Sequence, residues 1–173
     1  MSDLTIELKA PVIIHLQPEW FQNGYYVYVV TIKFNDEIYY YIGMTGDRNH
    51  TVARSPFYRM SGHFSTRKSA ENQIVKGIER TFGASVKDDN VLTKMSFTYY
   101  SWMIQPFHKD IDKMKHHENR VAAEKIESGL IVKCRNGFGT ERVFNHQLSR
   151  KDFTGFETEV GQMFEQLKHL TNE

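Results

Sequence analysis

Residues 24–46 carry two runs of β-branched and aromatic residues, Tyr25-Tyr26-Val27-Tyr28-Val29-Val30-Thr31-Ile32 and Tyr39-Tyr40-Tyr41-Ile42-Gly43-Met44-Thr45-Gly46. Asn35-Asp36 sits between them as a turn signal, so two antiparallel strands are predicted. A strand alternates faces with period two, which puts Tyr26 with Tyr28 on one face and Tyr39 with Tyr41 on one face. A register that turns Tyr28 and Tyr41 to the same side brings two phenols together at a strand end. Gly43 and Gly46 follow, where backbone can approach a ligand closely.

The polar stretch Asp47-Arg48-Asn49-His50 reads as a loop. Ser55-Pro56 supplies an N-cap and a first-turn proline for a short helix, Phe57 to Phe64, with Arg59 and His63 on one face. A second helix is expected from Thr66 to Phe82, where Ala70, Ile74, Ile78 and Phe82 repeat every four residues and Gly83 ends the run. Met95 to Ile104 reads as a third strand. From Lys109 to Glu127, the positions Ile111, Met114, Val121 and Ala122 form a helical stripe that includes Glu118. A carboxylate on an apolar face is costly unless it is paired or binds a metal. Glu124 and Glu127 fall off that stripe and read as solvated charges. Leu130 to Arg135 and Phe138 to Phe144 look like a hairpin around Asn136-Gly137.

The last segment, Phe156 to Leu170, places Phe156, Val160, Met163, Phe164, Leu167 and Leu170 on one helical face, for core packing or a dimer contact. At the other end, Leu4 to Leu16 reads as an added edge strand or packing arm, and Pro18-Glu19-Trp20-Phe21 as a structural cover.

A chain of 173 residues is expected to form one domain over 1–173, with a core of about 24–145, an N-terminal arm 1–23 and a C-terminal extension 146–173. The 40% hydrophobic and 25% charged content is that of an ordinary globular protein. The net charge is only +1, so any phosphate-binding surface must be a local patch. A single cysteine, Cys134, excludes an internal disulfide and a cysteine zinc cluster, and reads as a small buried hydrophobe. With no apolar run of membrane length and no secretion-type start, the expectation is a cytoplasmic protein with no membrane partner. His116-His117-Glu118 is not a chelating set, because neighbouring helix residues diverge by about 100°. No HExxH pattern or Walker-type phosphate loop is present.

Taken in order, these residues resemble the GIY-YIG nuclease family. Val27-Tyr28 stands where the family has the Ile-Tyr of its first motif, and Tyr41-Ile42-Gly43 matches the second letter for letter. Twelve residues separate Tyr28 from Tyr41, slightly more than usual. Arg59 with His63 resembles the family's helical arginine followed four residues later by His or Tyr. Asn145, after Arg142-Val143-Phe144, is similar to the aromatic-then-asparagine ending, and Asn136 is the alternative for that role. The family has one metal-binding glutamate in the helix after the third strand, and periodicity together with resemblance selects Glu118.

The resemblance implies a small α/β fold with a short, mainly antiparallel sheet flanked by helices. It also implies hydrolysis of DNA phosphodiesters with Mg2+, for which Mn2+ can substitute. Glu118 would hold the ion, Arg59 the phosphate, and Tyr28 with Tyr41 the attacking water. His63 would take the proton or fix Tyr28. Met44 occupies a place usually basic or polar in the family, so Arg48 or Arg54 would supply that charge, and Arg67 and Lys68 a DNA-backbone surface.

The build is similar to the standalone type II restriction endonucleases of the family. A repair or mobile-element nuclease, or a silent nucleic-acid-binding module, is the alternative. One catalytic centre per chain implies a homodimer for a double-strand break, with the Phe156–Leu170 helix or the Val12–Ile14 arm as the contact.

Overall fold

Asn35 and Asp36 both adopt positive φ, 51° and 64°, the conformation that a two-residue hairpin turn requires. The turn sets Phe34 opposite Glu37, and the register then runs without a slip to Tyr41 opposite Val30 and Gly43 opposite Tyr28. The paired strands are β1 (Gly24–Phe34) and β2 (Glu37–Met44), and β3 (Ser96–Pro106) joins the other side of β1. The computed structural model describes residues 14–64, 73–83, 91–145 and 152–171. Its sheet has the order β2-β1-β3 and is antiparallel throughout. Four helices flank it: α1 (Pro56–His63), α2 (Gln73–Phe82), α3 (Lys113–Phe138) and α4 (Glu157–Thr171). The fold is the expected mixed α/β class.

The central strand is covered on both faces, and its alternation divides the core. Tyr25, Val27 and Val29, with Tyr40 and Ile42 of β2, pack against Ala123, Ile126, Leu130 and Cys134 of α3 and against α4. Tyr28, Val30 and Ile32, with Tyr39 and Tyr41, pack against Ile74, Val75 and Ile78 of α2. Each such buried side chain contributes roughly 1.5–3 kcal/mol. Cys134 is fully buried, as expected, and burial pushes its thiol up to about 12.

The hairpin expected around Asn136-Gly137 does not form. α3 continues through both residues to Phe138 and ends at Gly139, whose φ is 103°. Ile131 and Val132 favour strands by propensity, but Leu130, Ile131 and Cys134 bury together only on a helix packed against α4. Gly137 is part of that packing, since a side chain there would overlap the ring of Phe164.

The α4 stripe is core. Val160, Met163, Phe164 and Leu167 are buried, and only Leu170 faces out. The dimer contact anticipated for this face is therefore not available there. Ser55 caps α1 as expected, its Oγ accepting from the Tyr58 N–H at 3.4 Å. Arg67, Lys68, Val12 and Ile13 lie outside the described residues, and Ile14 is exposed. Among the described residues no helix is long and apolar enough to cross a membrane.

The outer edge of β2 is closed by the chain after α3. Tyr40 forms a parallel bridge with Val143, and the Phe144 N–H donates to Tyr40 O at 2.8 Å. Asn145 then imitates one more strand residue. Its Oδ1 accepts from the Ile42 N–H at 2.9 Å and its Nδ2 donates to Ile42 O at 2.7 Å.

Candidate active site

The centre of the site is the buried phenol of Tyr28. Across the sheet it faces Gly43 on β2 and Ser101 on β3, two small residues that leave room for the ring. Tyr41 and Tyr99 sit one row away, each opposite Val30. The result is a cluster of three tyrosines, with Tyr28 to Tyr41 at 6.4 Å between ring centroids and Tyr28 to Tyr99 at 4.9 Å. Gly43 has a specific task here, because a Cβ at that position would overlap the Tyr28 phenol.

The α1 helix lays Arg59 and His63 over this cluster, since residues four apart share a helix face. His63 is buried, and its Nε2 lies 2.6 Å from the Tyr28 hydroxyl. Arg59 and Tyr41 lie near enough to the Tyr28 oxygen to favour its ionised form. With His63 in the tautomer protonated on Nδ1, Tyr28 donates to Nε2. Loss of solvation pushes the Tyr28 phenol up to about 12, Arg59 opposes the rise and the charge of Glu127 adds to it. Tyr41 is raised for the same first reason, with Tyr28 and Glu127 adding.

Glu127 supplies the carboxylate of the site. Burial pushes its carboxyl up to about 8, with Glu124 adding and Arg59 opposing. This desolvated carboxyl is within electrostatic reach of Arg59, Tyr28 and Tyr41. Its neighbour Glu124 pairs with the largely buried Arg120 at 2.8 Å.

Glu118, the carboxylate that periodicity selects, lies elsewhere. It is 54% exposed and pairs with Lys115 at 3.1 Å, and Met114 beside it is 72% exposed. The first turns of α3 project past the core, so the Met114–Glu118 side meets water. The buried stripe of α3 includes His116, Arg120, Ala123, Ile126, Leu130 and Cys134, and Glu127, half-buried, shares the helix face of Ala123, Leu130 and Cys134. A helix drawn only to Glu127 conceals this, because the apolar positions that place Glu127 on the buried side lie beyond it.

The remaining candidates divide as follows. Asn145 does not join the phenols but clamps the backbone of Ile42, between Tyr41 and Gly43. Asn136, its alternative, is helical. Arg48 and Arg54 are exposed on the loop after β2, and the Arg54 guanidinium lies 4.1 Å from the Tyr58 ring centroid. Trp20 covers the site from outside, 5.1 Å from the Tyr99 ring. Among the described residues no three His, Cys, Asp or Glu side chains gather as a metal-holding group. Comparison with protein-family models, curated proteins and solved structures finds no match for this chain.

Proposed function

We propose that this chain is a metal-dependent endonuclease of the GIY-YIG kind that hydrolyses DNA phosphodiesters. The observation that supports the reading is the single cluster of Tyr28, Tyr41, Arg59 and His63 with a desolvated carboxylate, Glu127, in electrostatic reach. The metal ligand in this reading is Glu127 rather than Glu118.

The donor set suits a hard divalent cation. Mg2+ keeps most of its water and is commonly bound through one or two carboxylates plus phosphate oxygens, so a gathered group of three protein ligands is not required. Glu127 would hold it, and a cation there offsets the unfavourable burial of that charge. When bound, such an ion supplies Lewis-acid stabilisation of the scissile phosphate and of the departing oxygen.

The protein's own groups handle the proton and the charge. With its phenol near 12, Tyr28 keeps its proton at neutral pH, so it acts as a relay rather than as a free phenolate. It takes a proton from the attacking water while its own passes to Nε2 of His63, at 2.6 Å. The resulting hydroxide bonds to phosphorus as the bond to the leaving oxygen breaks, and that oxygen leaves with a proton from solvent. Arg59 provides planar, permanent positive charge for the non-bridging oxygens and the transition state. Tyr41 holds the Tyr28 oxygen in line.

The finer reading is a type II restriction endonuclease acting on double-stranded DNA as a homodimer. Since the α4 stripe is core, such a dimer must use another surface. Plasmid cleavage with and without magnesium tests the main reading. The expected result is magnesium-dependent conversion of supercoiled plasmid, and defined fragment ends support the restriction form. Retardation of DNA in a gel with no cutting under any divalent ion would replace the enzyme by a binding module.

A further inference from the structure

Tyr99 has no part in the chemistry above, yet it stands inside the cluster. Its ring stacks on that of Tyr28 with centroids 4.9 Å apart and planes 19° from parallel, and Trp20 packs against it. Its hydroxyl is buried and has no hydrogen-bond partner among the described residues. Four core phenols differ: Tyr25 reaches His116, Tyr26 reaches Gln22 O, Tyr28 reaches His63 and Tyr39 reaches Glu37.

A buried hydroxyl without a partner is costly, and phenylalanine would make the same stack without that cost. Packing therefore accounts for the ring and leaves the oxygen unexplained. The surroundings indicate what would satisfy it. The ring stack on Tyr28 puts Tyr99 in the cluster, and burial raises the pKa of its hydroxyl, with Tyr28 and Tyr41 adding to the rise and the Arg59 charge opposing it. It is a neutral O–H donor within electrostatic reach of a guanidinium, a combination suited to an anionic oxygen.

We propose that Tyr99 is a substrate-binding residue, its O–H donating to a non-bridging oxygen of the scissile phosphodiester beside Arg59. The inference rests on the nuclease reading and adds a contact to it. Binding of the phosphate supplies the acceptor that the described residues do not offer. Tyr28 differs in this respect, since its proton already has His63.

The test is Tyr99→Phe in the full chain, assayed for cleavage, thermal stability and sulfur substitution at the scissile phosphate. The expected turnover is roughly a hundred- to a thousandfold lower, as for removal of one donor to a reacting oxygen, with Tm unchanged or higher. The loss should shrink on the phosphorothioate diastereomer that carries sulfur at the contacted position, and persist on the other. A purely structural hydroxyl would not distinguish the two. Turnover within twofold of the wild type, an equal loss on both diastereomers, or a Tm lowered by several degrees would each overturn the inference alone. A wild-type chain that cuts no DNA would overturn the functional reading and this one with it.

Discussion

The Tyr28 hydroxyl and Nε2 of His63 are 2.6 Å apart, so one hydrogen bond between two buried groups joins the central strand to helix α1. Tyr28→Phe removes the proposed relay and a hydrogen-bond partner of His63. Cleavage is expected to fall by about 10²–10⁴, while affinity for DNA, measured without metal, stays within a few-fold. Loss of this buried hydrogen bond should also lower stability by ~1–3 kcal/mol. If binding weakens as much as the rate, Tyr28 is a phosphate contact and not a relay.

The carboxylates are distinguished by pH. Glu127 ionises near 8 in the folded protein and near 4.5 in the unfolded chain. As pH rises from 4.5 the unfolded chain releases this proton first, so the fold loses stability between 4.5 and 8. Glu127→Gln should match the wild type in Tm near pH 4.5 and exceed it at pH 8, both without metal. The same variant should lose cleavage and the stabilisation by magnesium expected of the wild type. A lower Tm at pH 8 would mean that Glu127 is held by a favourable partner.

Glu118→Gln serves as the counterpart. Its side chain is 54% exposed and its pairing with Lys115 is at the surface, so stability should change by less than about 0.5 kcal/mol. Cleavage should stay within twofold of the wild type at saturating magnesium. A large loss of metal-dependent rate would return the metal ligand to Glu118.

Gly43→Ala introduces a methyl group into the space of the Tyr28 phenol. The ring must shift or β2 must move, at a cost of ~1–3 kcal/mol. Either response lengthens the Tyr28–His63 bond, so cleavage should fall more steeply than stability. Calorimetry and plasmid assays on the same preparation check this, and unchanged cleavage would show that Tyr28 has slack.

Asn145→Ala removes both side-chain bonds to the backbone of Ile42. A loss of ~1–3 kcal/mol is expected, with faster amide exchange at Ile42. Cleavage should fall through displacement of Tyr41 and recover in part at low temperature. An abolished rate with unchanged stability would make Asn145 a direct contact to substrate.

Short-range physics made much of this readable from the chain. Asn35-Asp36 sets a turn, the turn sets a register, and period-two alternation then puts Tyr28 and Tyr41 on the same face. Ser55-Pro56 starts a helix, and the four-residue spacing of Arg59 and His63 makes them share a side. These relationships depend on residues adjacent in sequence or across one hairpin, where local geometry decides them.

The glutamate and the fate of Asn136 were decided elsewhere. Leu130-Ile131-Val132 suits a strand or a helix, and only the burial of Leu130, Ile131 and Cys134 against α4 keeps that segment helical. Once α3 extends to Phe138, its buried side is fixed by the sheet and α4, not by Met114 at its projecting end. That rotation brings Glu127 to the cluster and leaves Glu118 in water. Tyr99 was equally hidden, because a tyrosine on a strand looks the same whether or not its hydroxyl finds a partner. Local sequence determined the phenols and the helix face above them. Packing between distant segments determined which carboxylate joins them, because burial is a property of the whole fold.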